Sequence, residues 1–241
     1  MTTQIGMVIF PGMTALDFAG PLEVFGRIPD AQVHVLAKVL DPVKTDIGFH
    51  EIPTMRMADA PRLDLLFVGG GPGSTAMMED EEMVDFFRRR APDAQWITSV
   101  CTGALILGAA GLLRGYRAAT HWAAMGVLPL LGATPVDERV VVDRNRITGG
   151  GVTAGIDFGL VVAKELRGEE VARKIQLVME YDPAPPFNGG SPRTEAADIV
   201  KTVRDQLSPG TQARAAAAGR IASRNGWPTP TREGGAHVPD A

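Results

Sequence analysis

Four short apolar runs, QIGMVIF (4–10), QVHVLAKV (32–39), LDLLFVGG (63–70) and QWITSV (95–100), alternate with stretches of helical periodicity. Nothing else in the chain constrains its fold so strongly. Such runs, branched and apolar and bounded by Gly, Pro or Asp, are strands buried on both faces. The helices between them are then crossovers joining parallel neighbours. Helical patterns fall at about 14–27, 79–90, 102–113, 122–131, 153–167 and 169–181, and ERVVVDRNRITGG (138–150) adds a hairpin turning at Asp143-Arg144-Asn145. The expectation is an α/β, flavodoxin-like sandwich: a mostly parallel central sheet with helices on both faces.

At 241 residues, 45% hydrophobic and 22% charged, the chain can bury a core without staples. A net charge of -4 offers no general attraction to phosphate backbones or anionic lipid, so nucleic-acid and membrane partners are not expected. The start, MTTQIGMVIFPG, lacks a basic region and a spanning apolar run, which predicts a cytoplasmic protein. Cys101 has no partner for a disulfide, and His34, His50, His121 and His237 have no metal-ligand spacing; neither metal nor cofactor is expected. Residues 1–190 read as the main domain and 191–207 as a helical extension, with a helix near 193–207. From Ser208 to residue 241, recurrent Pro and Gly predict a disordered or loosely packed tail.

In open α/β sheets the chemistry lies beyond the carboxyl ends of the strands. Cys101 stands there, between a strand ending at Val100 and a helix beginning at Thr102, in a turn of the nucleophile-elbow kind. Free N–H groups at a helix start favour thiolate, which predicts a thiol pKa below its ordinary value of about 8.5. The Thr102 amide would face negative charge developing on a substrate bound to sulfur. The alternatives are a small core hydrophobe and a site of regulatory oxidation.

Three further stretches follow strands. VGGGPGSTA (68–76) lacks the Lys-Ser/Thr ending of a phosphate loop; its glycines let backbone approach the reacting group, with an amide near Gly71, or serve only a tight turn. Asp17, in TALDFAGPLEVF, is either a helix-start charge or a buried acid able to trade protons with the thiol; Glu23 reads as a solvated helix position. His121, before Trp122, reads more readily as a cap or packing residue than as a base, and both are candidates for lining a pocket.

Taken together, FPGMTALDFAGPLEVF, GGGPG, SVCTGA with AAGLLRG, ATHW and GGVTAGID resemble the PfpI-type branch of the glutamine-amidotransferase-like superfamily, over roughly residues 3–190. The resemblance implies a cysteine elbow and a homodimer. Peptidases of that branch carry a histidine directly after the nucleophile, where this chain has Thr102. Amidotransferases use a His-x-Glu pair, and no histidine lies between His121 and His237. Asp17, Cys101, Thr102 and MEYDPAPPFNGG look like the isocyanide hydratases, which add water to an isonitrile to give an N-substituted formamide. That resemblance implies that Cys101 attacks the isonitrile carbon, Asp17 supplies a proton and Thr102 holds the intermediate, a thioimidate. Gly71, Gly150, Trp122 and His121 would line the substrate site, less directly. CTGA and ATHW are shared with the sensing domain of AraC-type transcription regulators, a rival reading; a redox role for Cys101 is a third.

Overall fold

The computed structural model describes residues 2–228. Strand β1 (Thr3–Val8) leads through helix α1 (Ala15–Phe25) to β2 (Ala31–Ala37). A small hairpin, β3 (Val43–Lys44) and β4 (His50–Glu51), precedes the short edge strand β5 (Met55–Arg56) and the central strand β6 (Leu65–Val68). Helices α2 (Ser74–Glu79) and α3 (Glu81–Arg90) lead to β7 (Trp96–Val100), followed by α4 (Gly103–Ala109). Next come β8 (Arg117–Ala118), a 3-10 helix (Trp122–Leu131), β9 (Thr134–Pro135), and the hairpin of β10 (Val140–Asp143) and β11 (Arg146–Gly149). Helices α5 (Ala154–Arg167), α6 (Glu169–Val178) and α7 (Ala197–Arg224) complete the described chain.

Seven strands form one sheet in the order β10-β11-β7-β6-β1-β2-β5, parallel except for β10. All four residues of β6 are buried, as a strand covered on both faces requires. Right-handed crossovers then divide the helices. Helices α1 and α5 pack together on one face, extended by α6; α2, α3, α4, the 3-10 helix and α7 cover the other. The first face closes tightly because small residues meet there. A Cβ on Gly159 would sit 2.9 Å from Val24, and one on Gly155 3.0 Å from Pro21. Phe25, Phe67 and Phe158 interlock beneath, with centroids 5.6 to 6.1 Å apart. Each buried ring contributes about 2–3 kcal/mol. This packing sets where the start of α1, and Asp17 with it, meets the ends of β6 and β7.

Several elements depart from the pattern. The helix expected over 79–90 is α3, and the short α2 before it was not expected; the two part at Asp80, whose carboxylate caps α3 by accepting the Met83 N–H at 2.9 Å. The helix expected at 102–113 ends at Ala109. Pro21 stands inside α1, where its missing N–H leaves the Asp17 carbonyl without a helical donor. The tail expected from Ser208 is in error as far as Arg224: α7 runs unbroken through Pro209 and Gly210. Ala217, Ala218, Ile221 and Ala222 are buried, and packing of that face outweighs the local breakers. Residues 229–241 of that tail lie outside the described residues. Among the described residues no helix is long and apolar enough to cross a membrane.

Candidate active site

Strand β1 lies between β2 and β6, so the chain leaves the sheet in opposite senses on either side of it. The ends of β1, β6, β7 and β11 gather at that reversal, where ligands bind in open α/β sheets. Cys101 and Thr102 form the whole turn between β7 and α4. Cys101 has φ of +55°, a left-handed conformation that a non-glycine residue holds at about 1–3 kcal/mol. Three hydrogen bonds hold it there. Its N–H donates to the carbonyls of Gly149 and Gly150 at 3.1 and 2.8 Å, and its carbonyl accepts from Thr120 Oγ1 at 2.7 Å. The backbone N–H of Thr102, beside the sulfur, favours the thiolate form.

Asp17, early in α1, is wholly buried. Its Oδ2 accepts the Gly70 N–H at 2.8 Å, while Oδ1 is buried with no well-formed hydrogen bond. The Cys101 thiol is the titratable group within hydrogen-bonding reach of this carboxyl. Burial dominates here: against the bonds from Gly70 and Cys101 it raises the carboxyl pKa from 3.8 to about 7. Asp17 lies in the first turn of α1, as a helix-start residue would, and is buried with a raised pKa, as the second reading expects. Glu23 is solvated and pairs with Arg27.

The same desolvation acts on the sulfur. Burial, then the charge of Asp17, pushes the Cys101 thiol up, against the Thr102 N–H. The lowered thiol pKa expected from the helix start is therefore reversed: α4 has seven residues, and its end does not offset the loss of water. Asp17 and Cys101 titrate as a coupled pair. When Asp17 is neutral its repulsion of the thiolate vanishes and its O–H can donate to sulfur.

The turn after β6 is built of glycine because side chains there would collide with Asp17 and Thr102. A Cβ on Gly70 would lie 2.4 Å from the Thr102 nitrogen, 2.5 Å from Thr102 Oγ1 and 3.0 Å from Asp17 Oδ2. Gly71 has φ of +127° and donates its N–H to Thr102 Oγ1 at 3.0 Å; Ser74 Oγ bonds the same oxygen at 3.0 Å. This corrects the expectation that Gly71 offers an open amide to substrate, since that N–H is occupied by Thr102.

His121 caps the 3-10 helix, its Nδ1 accepting the Ala123 N–H at 3.3 Å, and burial, then the charge of Arg214, lowers its pKa. Its ring lies 5.6 Å from that of Trp122. Both line a cleft of about 300 Å³ with Met125, Val152 and Gly150. Gly150 and Thr120, also on its wall, are two of the three residues bonded to the backbone of Cys101. The sulfur-bearing residue is 5% exposed, next to this cleft.

The profile of the DJ-1/PfpI family matches residues 3–165. The chain belongs to the DJ-1/PfpI family. Among curated relatives, it is 48% identical over 224 residues to a Pseudomonas putida protein named isonitrile hydratase, covering 93% of this chain and 98% of that one. It is also 27% identical over 187 residues to the HTH-type transcriptional regulator GbdR of Pseudomonas aeruginosa, matching 51% of that protein. A crystal structure of a THiJ/PfpI family protein from Pseudomonas syringae superposes with a TM-score of 0.89 at 46% identity, covering 91% of each chain. DJ-1beta of Drosophila melanogaster shares the fold, with a TM-score of 0.68 at 24% identity over 75% of this chain and 98% of its own.

In this DJ-1/PfpI site the structure brings Asp17, Cys101, Thr102 and Gly71 together and sets Gly150, His121 and Trp122 along the cleft beside them. Three residues escaped the sequence reading. Ser74 and Thr120 lie inside stretches singled out for other members, GGGPGS and ATHW, and their hydroxyls support Thr102 and Cys101. Arg214 carried no signal, because the pattern around it is broken by Ser-Pro-Gly.

Proposed function

We propose that this protein is an isonitrile hydratase, converting an isonitrile to an N-substituted formamide through a thioimidate on Cys101. The observation that carries the reading is the buried Asp17–Cys101 pair at a strained elbow, coupled so that the two groups compete for a proton. The 48% identity to the Pseudomonas putida isonitrile hydratase, along almost the whole of both chains, supports it.

The chemistry follows from the pair. The carbon of an isonitrile accepts a nucleophile and then needs a proton; in the singly protonated pair the thiol proton passes to the Asp17 carboxylate as sulfur engages the substrate, so the pair supplies both nucleophile and acid without a histidine base. Sulfur bonds to that carbon as the Asp17 proton moves to it, leaving S–CH=N–R and a carboxylate. Water adds across C=N, with hydroxyl on carbon and hydrogen on nitrogen. As the C–S bond breaks, the hydroxyl proton passes to Asp17; the formamide leaves, and the pair again shares a single proton, which returns to sulfur. The Thr102 N–H steadies sulfur throughout. The substituent extends into the cleft past Trp122, Met125 and Val152, whose character favours apolar or aromatic groups.

The reading extends to a cytoplasmic homodimer. Leu177, Val178 and Phe187 are 81%, 74% and 82% exposed, apolar surface of the kind an interface covers. The test is consumption of an aromatic isonitrile with formamide release, by the wild type and by Cys101→Ala. Turnover is expected in the first and absent in the second. An unreactive wild type, or binding without consumption, would overturn the enzymatic reading in favour of a sensor.

A further inference from the structure

Helix α7 crosses the face of the molecule formed by α2 and the 3-10 helix. Two contacts bracket its middle: Thr211 Oγ1 donates to the Ala123 carbonyl at 3.2 Å, and Arg220 forks onto Glu79 at 2.9 and 2.6 Å. Between them stands Arg214. Its guanidinium folds back over Gly210, where a Cβ would come within 3.2 Å of Nη1. Nη2 donates to the Gly71 carbonyl at 3.4 Å, on the glycine whose N–H is bonded to Thr102. Nε is buried with no hydrogen-bond partner.

None of the ion pairs among the described residues involves Arg214, and Glu79, the carboxylate α2 presents to this helix, is held by Arg220. An always-charged group with five donors is rarely half-buried, with a donor left unpaired, without an anion to face. The other charged and titratable groups around the site are accounted for. His121, on the 3-10 helix, has its pKa lowered by burial and then by Arg214. Asp46, on the hairpin, is bonded to Thr14 Oγ1 at 2.7 Å, and Arg204, farther along α7, lies over the Trp122 ring. The remaining anion is the Asp17–Cys101 pair when it holds a single proton, with a net charge of -1. Cys101 acts on Arg214 electrostatically, opposing the effect of burial on the guanidinium.

We propose that Arg214 is a positioning residue of the active site: from α7, it supplies the positive charge that balances the singly protonated Asp17–Cys101 pair, across the Gly71–Thr102 contact. The reactive sulfur then depends on the helix that returns from the far end of the chain. The turnover arm of the test rests on the hydratase reading; the thiol arm does not.

Cys101 is the only thiol in the chain, so its alkylation by iodoacetamide, followed by mass spectrometry across pH, reports the pair directly. In Arg214→Gln the midpoint of that profile is expected to rise, slowing alkylation at neutral pH on the order of tenfold, the effect of one charge at partly buried range. Arg214→Lys, which keeps the charge and loses the fork, is expected to stay within about threefold of wild type. Arg214→Met retains the apolar stem and carries the test should Arg214→Gln misfold by circular dichroism. A folded, uncharged variant with the wild-type profile overturns the charge-balancing role, whatever happens to turnover. Loss of isonitrile turnover with an unmoved profile would likewise overturn it while leaving the hydratase reading standing; a shifted profile in a protein inactive toward isonitriles would support Arg214 and sink that reading.

Discussion

Replacing Asp17 by Asn separates the cost of burying an acid from its use. In the folded protein the Asp17 carboxyl keeps its proton to about pH 7, whereas in the unfolded chain it releases it near 3.8. Between those values the native state binds more protons, so raising the pH favours unfolding by about 1.36 kcal/mol per unit. A rise from 3.8 to about 7 therefore amounts to roughly 4 kcal/mol, fully present as stability below pH 4 and lost by the time the pH passes 7. Asn keeps an oxygen for the Gly70 N–H and cannot ionise. Any penalty from its new N–H₂ is independent of pH. Denaturant melts of wild type and Asp17→Asn from pH 4.5 to 8 are expected to diverge with pH, the variant gaining relative stability on the order of 3 kcal/mol over that range while isonitrile turnover falls by orders of magnitude. Parallel stability curves would refute a buried, neutral Asp17 and the proton source built on it.

Turnover is expected to rise with pH through about 7, as the doubly protonated pair loses its first proton, and a rate–pH profile flat across that range would contradict the shared-proton state. Thr102→Val keeps the side-chain shape but strips a partner from the buried Gly71 N–H and Ser74 Oγ; a loss of about 1–3 kcal/mol in denaturant melts is expected, with slowed alkylation of Cys101. In Gly70→Ala the new methyl would meet backbone nitrogen at 2.4 Å, which cannot yield as a flexible side chain would, so loss of turnover and a destabilisation of several kcal/mol are expected from kinetics and thermal melts. Truncation after Leu207 removes Arg214 and the buried face of Ala217, Ala218, Ile221 and Ala222, baring the 3-10 helix beneath; a lowered melting temperature and aggregation by light scattering are expected, and an unchanged melt would mean that α7 contributes nothing to the core.

Much of the fold was legible because strands such as LLFV of β6 and WITSV of β7 bury both faces and show it as unbroken apolar runs. The hairpin at 140–149 was equally plain, its turn at Arg144 taking φ of +53°. Cys101, Asp17 and Thr102 stood out because each follows a strand end, the place where an open sheet puts its chemistry. Their states did not. Position predicts a thiol helped by the start of a helix, yet the thiol pKa is raised, because desolvation depends on everything packed around the sulfur and not on its neighbours in sequence.

By itself, the order of residues determined the alternation of strands and helices, the elbow and the site's principal members, since hydrophobic period and glycine spacing act locally. Tertiary structure alone decided that Asp17 holds a proton near neutrality, that Gly71 spends its N–H on Thr102, and that α7 continues through Pro209 to bring Arg214 to the site. Each is a matter of long-range burial. Water excluded by distant segments sets a pKa, and packing energy from one helix face overrides breakers that, read in isolation, end a helix.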